Sequence, residues 1–170
     1  MEITTIKPFL DYYERLRGRT LRVIRCVPPE KIDWTYGEGK FTLGDIIRHL
    51  AAIERFMFAE IVQLKQSSYP GHGKELGDGY DASLEFMNRT HNESMEIFAG
   101  LTDEDLRKKC VTPDSASITV WKWLRAMSEH EIHHRGQIYL YLGMLGIDTP
   151  PLYGLTSEEV LERSRGTVRE

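Results

Sequence analysis

Apolar residues recur every three or four positions along four long stretches of this chain, and no stretch alternates convincingly with period two. The first predicts a helix from about Pro8 to Val27, with Phe9, Tyr12, Tyr13, Leu16, Val23 and Ile24 inward and Pro28-Pro29 as its stop. After a connection through Trp34, Tyr36 and Gly37-Glu38-Gly39, Thr42 caps a second helix over Leu43 to Lys65, striped by Ile46, Leu50, Ile53, Met57, Ile61 and Leu64. A third runs from Ala82 to Ala99 on Leu84, Met87, Met95 and Phe98, with Gly100 ending it. A short helical turn at Thr102 to Asp105 and a loop at Pro113 to Ser117 precede the fourth, Thr119 to Leu145. A last short helix starts at the capping box Thr156-Ser157-Glu158-Glu159 and offers Val160 and Leu161 for docking.

Four long amphipathic helices, no internal repeat and no convincing period-two alternation predict an all-α four-helix bundle with an extra C-terminal helix. At 170 residues and 41% hydrophobic content, one core and a single domain over 1–170 are expected. The longest connection, Gln66 to Tyr80, carries Ser, Gly, Pro and His72; it reads as an edge excursion or as a flap over a pocket.

A net charge of −4 from 22 basic and 26 acidic residues leaves no basic face for nucleic acid or an anionic membrane. Arg15, Arg17, Arg19, Arg22 and Arg25 spread around the first helix and read as a solvated surface rather than a phosphate patch. Cys26 and Cys110 are far apart, which fits a reducing compartment and the cytoplasm and gives no thiolate metal site. Neither a signal-peptide pattern nor an apolar run of about 18 residues is present.

The chemistry is concentrated in His130-Glu131-Ile132-His133-His134-Arg135-Gly136-Gln137. At about 100° per residue, His134 falls near the centre of the fourth helix's apolar stripe and His130 at its margin, one turn away, so the two can share a metal ion. His133 points away from that face. His49, at the edge of the second helix's stripe, is the best third ligand. His91 also faces inward and reads as a core imidazole bonded to a neighbouring helix in preference to a fourth ligand.

The same string satisfies H-E-x-x-H, in which two histidines hold zinc and the glutamate serves as base. Gln137 and Leu140 stand where a metzincin needs Gly and His. A gluzincin could draw a ligand from Glu158 or Glu159, but the chain offers no strand on which to seat an extended peptide. Glu131 has an ordinary alternative as hydrogen-bond acceptor for an imidazole. A single E-x-x-H motif, Glu131 to His134, falls short of a carboxylate-bridged di-iron centre. A mononuclear three-histidine site is preferred. Its metal affinity is expected to weaken below about pH 6, where free imidazoles protonate.

The aromatic loop with Trp34, the run Asp45 to Leu50 (D-x-x-x-H-L), the run His130 to Gln137 (H-x-x-x-H-R-G-Q) and the Gly-terminated continuation Ile138 to Ile147 together resemble the DinB/YfiT-like superfamily of bacterial four-helix-bundle proteins. The resemblance covers nearly the whole chain. It implies one divalent ion per chain, zinc or nickel, held by His49, His130 and His134 with open positions, and a homodimer. It further implies a thiol-dependent transferase or isomerase that uses a low-molecular-weight thiol of the bacillithiol or mycothiol kind on small electrophiles. Two alternatives stand beside it: a metal-binding or stress-associated bundle without turnover, and a metal-dependent hydrolase. Arg135 and Gln137 follow the motif without a role that the sequence reveals.

Overall fold

The computed structural model describes residues 2–166 and has the bundle architecture. Helix α1 spans Ile6–Ile24, α2 Leu43–Ile53, α3 Ala59–Val62, α4 Tyr80–Ala99, α5 Val120–Met144 and α6 Ser157–Gly166. Thr42 caps α2 as expected: its hydroxyl accepts from the Asp45 amide while the Asp45 carboxylate accepts from the Thr42 amide. The expected box at Thr156 and Glu159 forms at the head of α6 in the same reciprocal way.

α1 packs against α4 and α5, and α2 packs against the same two, which puts α1 and α2 at opposite corners of the bundle. The core divides into two apolar clusters. Phe9, Leu16, Phe58, Phe98, Trp123 and Met127 belong to one, and Val23, Ile47, Leu50, Met87, Ile138 and Leu142 to the other. α1 and α5 enter the first cluster with their N-terminal halves, while α2 and α4 begin in the second, so the helices form two parallel pairs running opposite ways.

Between the clusters lies a polar belt. Arg17 and Thr20 of α1, Thr90 and His91 of α4, Glu131 and His134 of α5, and Glu54 just beyond α2 are all buried at this level. Arg17 is 2% exposed, which overturns its reading as part of a solvated arginine surface. The spread of arginines around α1 is real, but one of them points into the core because carboxylates wait there.

Three further expectations are corrected. The helix predicted from Leu43 to Lys65 is interrupted by a π-helical turn, Glu54–Phe58, between α2 and α3. A π turn adds a residue to the local repeat and rotates everything after it. Phe58, Ala59, Ile61 and Val62 therefore take the core, while Leu64 is exposed with a positive φ of 61°. Secondly, a short antiparallel ribbon exists: β1 (Lys109–Val111) pairs with β2 (Ser117–Thr119), with Cys110 opposite Ile118. Strands of three residues are too short to show a period. Thirdly, Val160 and Leu161 do not dock α6, being 49% and 50% exposed.

Candidate metal centre

His49 is carried by the last full turn of α2 and His130 and His134 by successive turns of α5, the helix packed beside it. One ring nitrogen from each of the three lies within 4.8 Å of the other two, the single such grouping of His, Cys, Asp or Glu among the described residues. The His49 and His130 Nε2 atoms are 3.1 Å apart. Two imidazole nitrogens each about 2.1 Å from a shared ion, at a tetrahedral angle, would stand roughly 3.4 Å apart. The donor set and its spacing thus fit a small divalent ion.

Neighbouring groups orient two of the rings. The Tyr69 hydroxyl lies 2.7 Å from His49 Nδ1 and 3.3 Å from His72 Nδ1, and the Gln137 Oε1 lies 2.6 Å from His134 Nδ1. A Gln carbonyl oxygen can only accept, so His134 carries its proton on Nδ1 and turns the lone pair of Nε2 toward the other two histidines. Gln137 thereby gains the role that the sequence did not reveal. Its replacement by Ala is expected to weaken metal affinity about 10- to 100-fold with the fold intact, as loss of such a supporting bond does elsewhere; competition with a chromogenic chelator measures this, and unchanged affinity would remove Gln137 from the site.

Tyr69 and His72 belong to the long connection after α3, and this segment is pinned rather than loose. Arg48, fully buried, donates from Nε to the His72 carbonyl at 2.9 Å and from Nη1 to the Gly77 carbonyl at 3.1 Å, and it pairs with Asp45 at 2.7 Å. His72 also packs on Phe41, with ring centroids 4.2 Å apart. The segment supplies a wall of the site.

Burial drives the electrostatics. His49 is pushed down to about 4, first by desolvation and then by the His134 and His72 charges; His130 falls to about 3 by desolvation and by His134, His49 and His133. His134 is also lowered by burial, against the opposing bond to Gln137. All three are neutral lone-pair donors at pH 7. Between about pH 4 and the unfolded value near 6.5, the unfolded chain binds more protons than the folded one, so metal-free stability falls as pH drops through that window. Urea midpoints at pH 5 and 7.5 should show lower stability at pH 5, with a smaller difference in His130→Leu; an identical pH dependence in the two proteins would contradict it. The same shifts let metal binding persist to lower pH than free imidazoles would allow, because protons compete less well for these rings.

Several residues stand elsewhere. His133 is on the exposed side of α5, as expected. His91 is a core imidazole, its Nδ1 2.9 Å from Glu54 Oε1. Glu131 touches no imidazole: its Oε2 accepts from the Tyr13 hydroxyl at 2.9 Å and pairs with Arg17 at 3.1 Å. The H-E-x-x-H glutamate is thus committed to α1 through Oε2, while its Oε1 is buried without a hydrogen-bond partner. Glu158 and Glu159 are exposed, and Glu159 caps α6. The gluzincin ligand set is therefore not assembled. Glu54, which no sequence pattern singled out, shares the belt with Arg17, Tyr13 and His91.

The geometry can be set beside known proteins. Among curated proteins nothing matches this chain. A DinB-like protein from Bacillus cereus superposes with a TM-score of 0.73 at 19% identity, over 87% of this chain and 97% of that one. YfiT from Bacillus subtilis, described as a probable metal-dependent hydrolase with an unusual four-helix-bundle topology, gives a TM-score of 0.65 at 18% identity over 84% and 89%. A mycothiol-dependent maleylpyruvate isomerase gives 0.61 at 13% identity, over 78% of this chain and 60% of the isomerase. Likeness at such identities establishes the shared fold. The family profile of the DinB superfamily matches residues 12–138, from the first helix through the histidines of α5, and the chain belongs to that superfamily.

Proposed function

We propose that this protein is a metal-dependent enzyme in which His49, His130 and His134 hold one divalent ion, zinc or nickel, that activates a low-molecular-weight thiol for transfer to, or isomerisation of, a small electrophile. The observation that carries the reading is the convergence of three neutral imidazoles with no carboxylate among them. An ion bound there keeps its full positive charge and stabilises a thiolate relative to the thiol, which at a free pKa of about 8.5 is mostly protonated at neutral pH.

The chain's own residues determine what that charge can do. Tyr69 and Gln137 hold the ligand rings from behind, Phe41 packs against His49, and Phe58 approaches His130 with centroids 6.0 Å apart. These aromatic walls suit an apolar electrophile and lower the local polarity, which strengthens the attraction between the ion and an anionic sulfur. Hydrolysis is the second reading, favoured by the same neutral shell, since it could equally acidify water. The sequestered Glu131 weighs against it, because the glutamate best placed in sequence to serve as base is bonded to Tyr13 and Arg17. A non-catalytic role would require protein groups to close the remaining coordination positions, and none of the described acidic or thiol side chains joins the histidines.

The free cysteines Cys26 and Cys110 support a reducing, cytoplasmic setting, and no helix among the described residues is long and apolar enough to cross a membrane. Cobalt-substituted protein titrated with small thiols tests the proposal. A sulfur-to-cobalt charge-transfer band that saturates with thiol is expected, and a spectrum indifferent to excess thiol would refute thiol activation.

A further inference from the structure

α5 turns His130 and His134 inward and presents a chemically different surface on its outer side. Ile132, Gly136 and Tyr139 border a groove of about 630 Å³ whose far wall is the segment of residues 149–158 leading into α6. Arg135 lines this groove. It is 4% exposed, its Nη1 has no hydrogen-bond partner, and it enters no ion pair among the described residues. Of the other two buried arginines, Arg48 meets Asp45, Ser83 and two carbonyls, and Arg17 meets Glu54, Glu131 and Tyr13 through Nη2 although its Nε and Nη1 have no partner; Arg135 is the one of the three that meets no carboxylate among the described residues. A guanidinium cannot shed its proton and loses strong hydration on burial, so an unpartnered one calls for an anion.

The surroundings reinforce that demand. The N-terminal turn of α6, a helix of 10 residues, opens on the groove through Thr156 and Ser157 and directs its positive dipole end there. Arg22 of α1 donates to the Leu152 carbonyl at 2.9 Å, and Arg19 lies 5.2 Å above the Tyr153 ring, so two more cations hold the far wall in place. Gly136 leaves the α5 side open, since a Cβ there would meet nothing within 4 Å. The remaining lining is largely apolar, and Glu158 is the one carboxylate on it. A dianion would be repelled by Glu158, whereas a single carboxylate matches the planar fork of one guanidinium.

The geometry points to a second binding site, for a small carboxylate with an apolar body of about ring size: its carboxylate pairs with Arg135 and its body lies between Tyr139 and Leu152. The site faces away from the histidines and does not depend on the metal chemistry.

Amide shifts of Gly136 and Ser157 in isotope-labelled protein, titrated separately with benzoate, benzamide and inorganic phosphate, test this. Saturable benzoate binding is expected, with benzamide and phosphate at least about tenfold weaker and benzoate binding lost in Arg135→Gln. That variant should also melt higher than wild type without ligand, because it removes an unpartnered buried charge; a residue of purely structural importance would melt lower. Equal binding of benzoate and benzamide, benzoate binding retained in Arg135→Gln, or phosphate binding more tightly than benzoate would each overturn the assignment. Ligand-free dimerisation seen by sedimentation and abolished in Arg135→Gln would overturn it too, by showing that a second copy supplies the anion.

Discussion

Replacing His130 by alanine is expected to reduce bound metal from about one ion per chain to below about a tenth, with helical content unchanged. His130 contributes the Nε2 that faces His49 Nε2 at 3.1 Å, and its ring lies 4.4 Å from that of His134, so it is in contact with both other members of the group. A two-histidine remnant has no carboxylate or thiol among the described residues to take its place. The fold does not depend on the ion in the same way, since both apolar clusters pack without it. Elemental analysis with circular dichroism separates the two effects; full metal occupancy in His130→Ala would remove His130 from the site.

The second large effect belongs to the polar belt. Arg17→Met should destabilise the protein by about 3–5 kcal/mol, the usual cost of removing one partner from a buried ion pair. In a chain of this size that corresponds to a fall in melting temperature of roughly 6–20 °C. The substitution keeps the volume of the stem but leaves Glu54 and Glu131, both almost wholly buried, facing each other beside Tyr13 without a cation. Burial alone would raise Glu54; the Arg17 charge and the bond to His91 hold it below the ordinary carboxylate range. Adding Glu54→Gln and Glu131→Gln should recover most of the loss, because amides can still bond Tyr13 and His91 without a net charge. A loss below about 1 kcal/mol in Arg17→Met would show that the belt is not held by its charges.

These two predictions rest on residues that were unequally legible in the sequence. His130 and His134 could be read because a turn of helix and an apolar stripe fix their direction, and His49 because it lies on the margin of another such stripe. Gln137 was visible as a motif letter, but its bond to His134 is a matter of rotamers. Tyr69 and His72 come from a connection with no periodicity, and their approach to His49 depends on Arg48 reaching backbone carbonyls in that connection. Arg17 and Glu54 were hidden for a different reason. Charged residues on amphipathic helices normally face water, and each is buried because the other's helix brings an opposite charge to the same level. The π turn that begins at Glu54 escaped because one inserted residue leaves an apolar stripe looking continuous over two turns.

The belt also accounts for the location of the site. Two apolar clusters close the ends of the bundle, and polar side chains are tolerated where they meet. His134 is at that level and His49 lies one turn of α2 before Glu54, so the imidazoles stand beside a rigid ionic framework that fixes α1, α4 and α5 relative to the π turn. Ligand rings held on packed helices keep their mutual geometry better than rings on loops.

X-ray absorption of the zinc-loaded protein at pH 7.5, before and after addition of a small thiol, tests the central claim most directly. The account predicts three imidazole nitrogens at about 2.0–2.1 Å and a new sulfur neighbour at about 2.3 Å once thiol is present. A shell that contains a protein carboxylate, or one that gains no sulfur with thiol in excess, would contradict it.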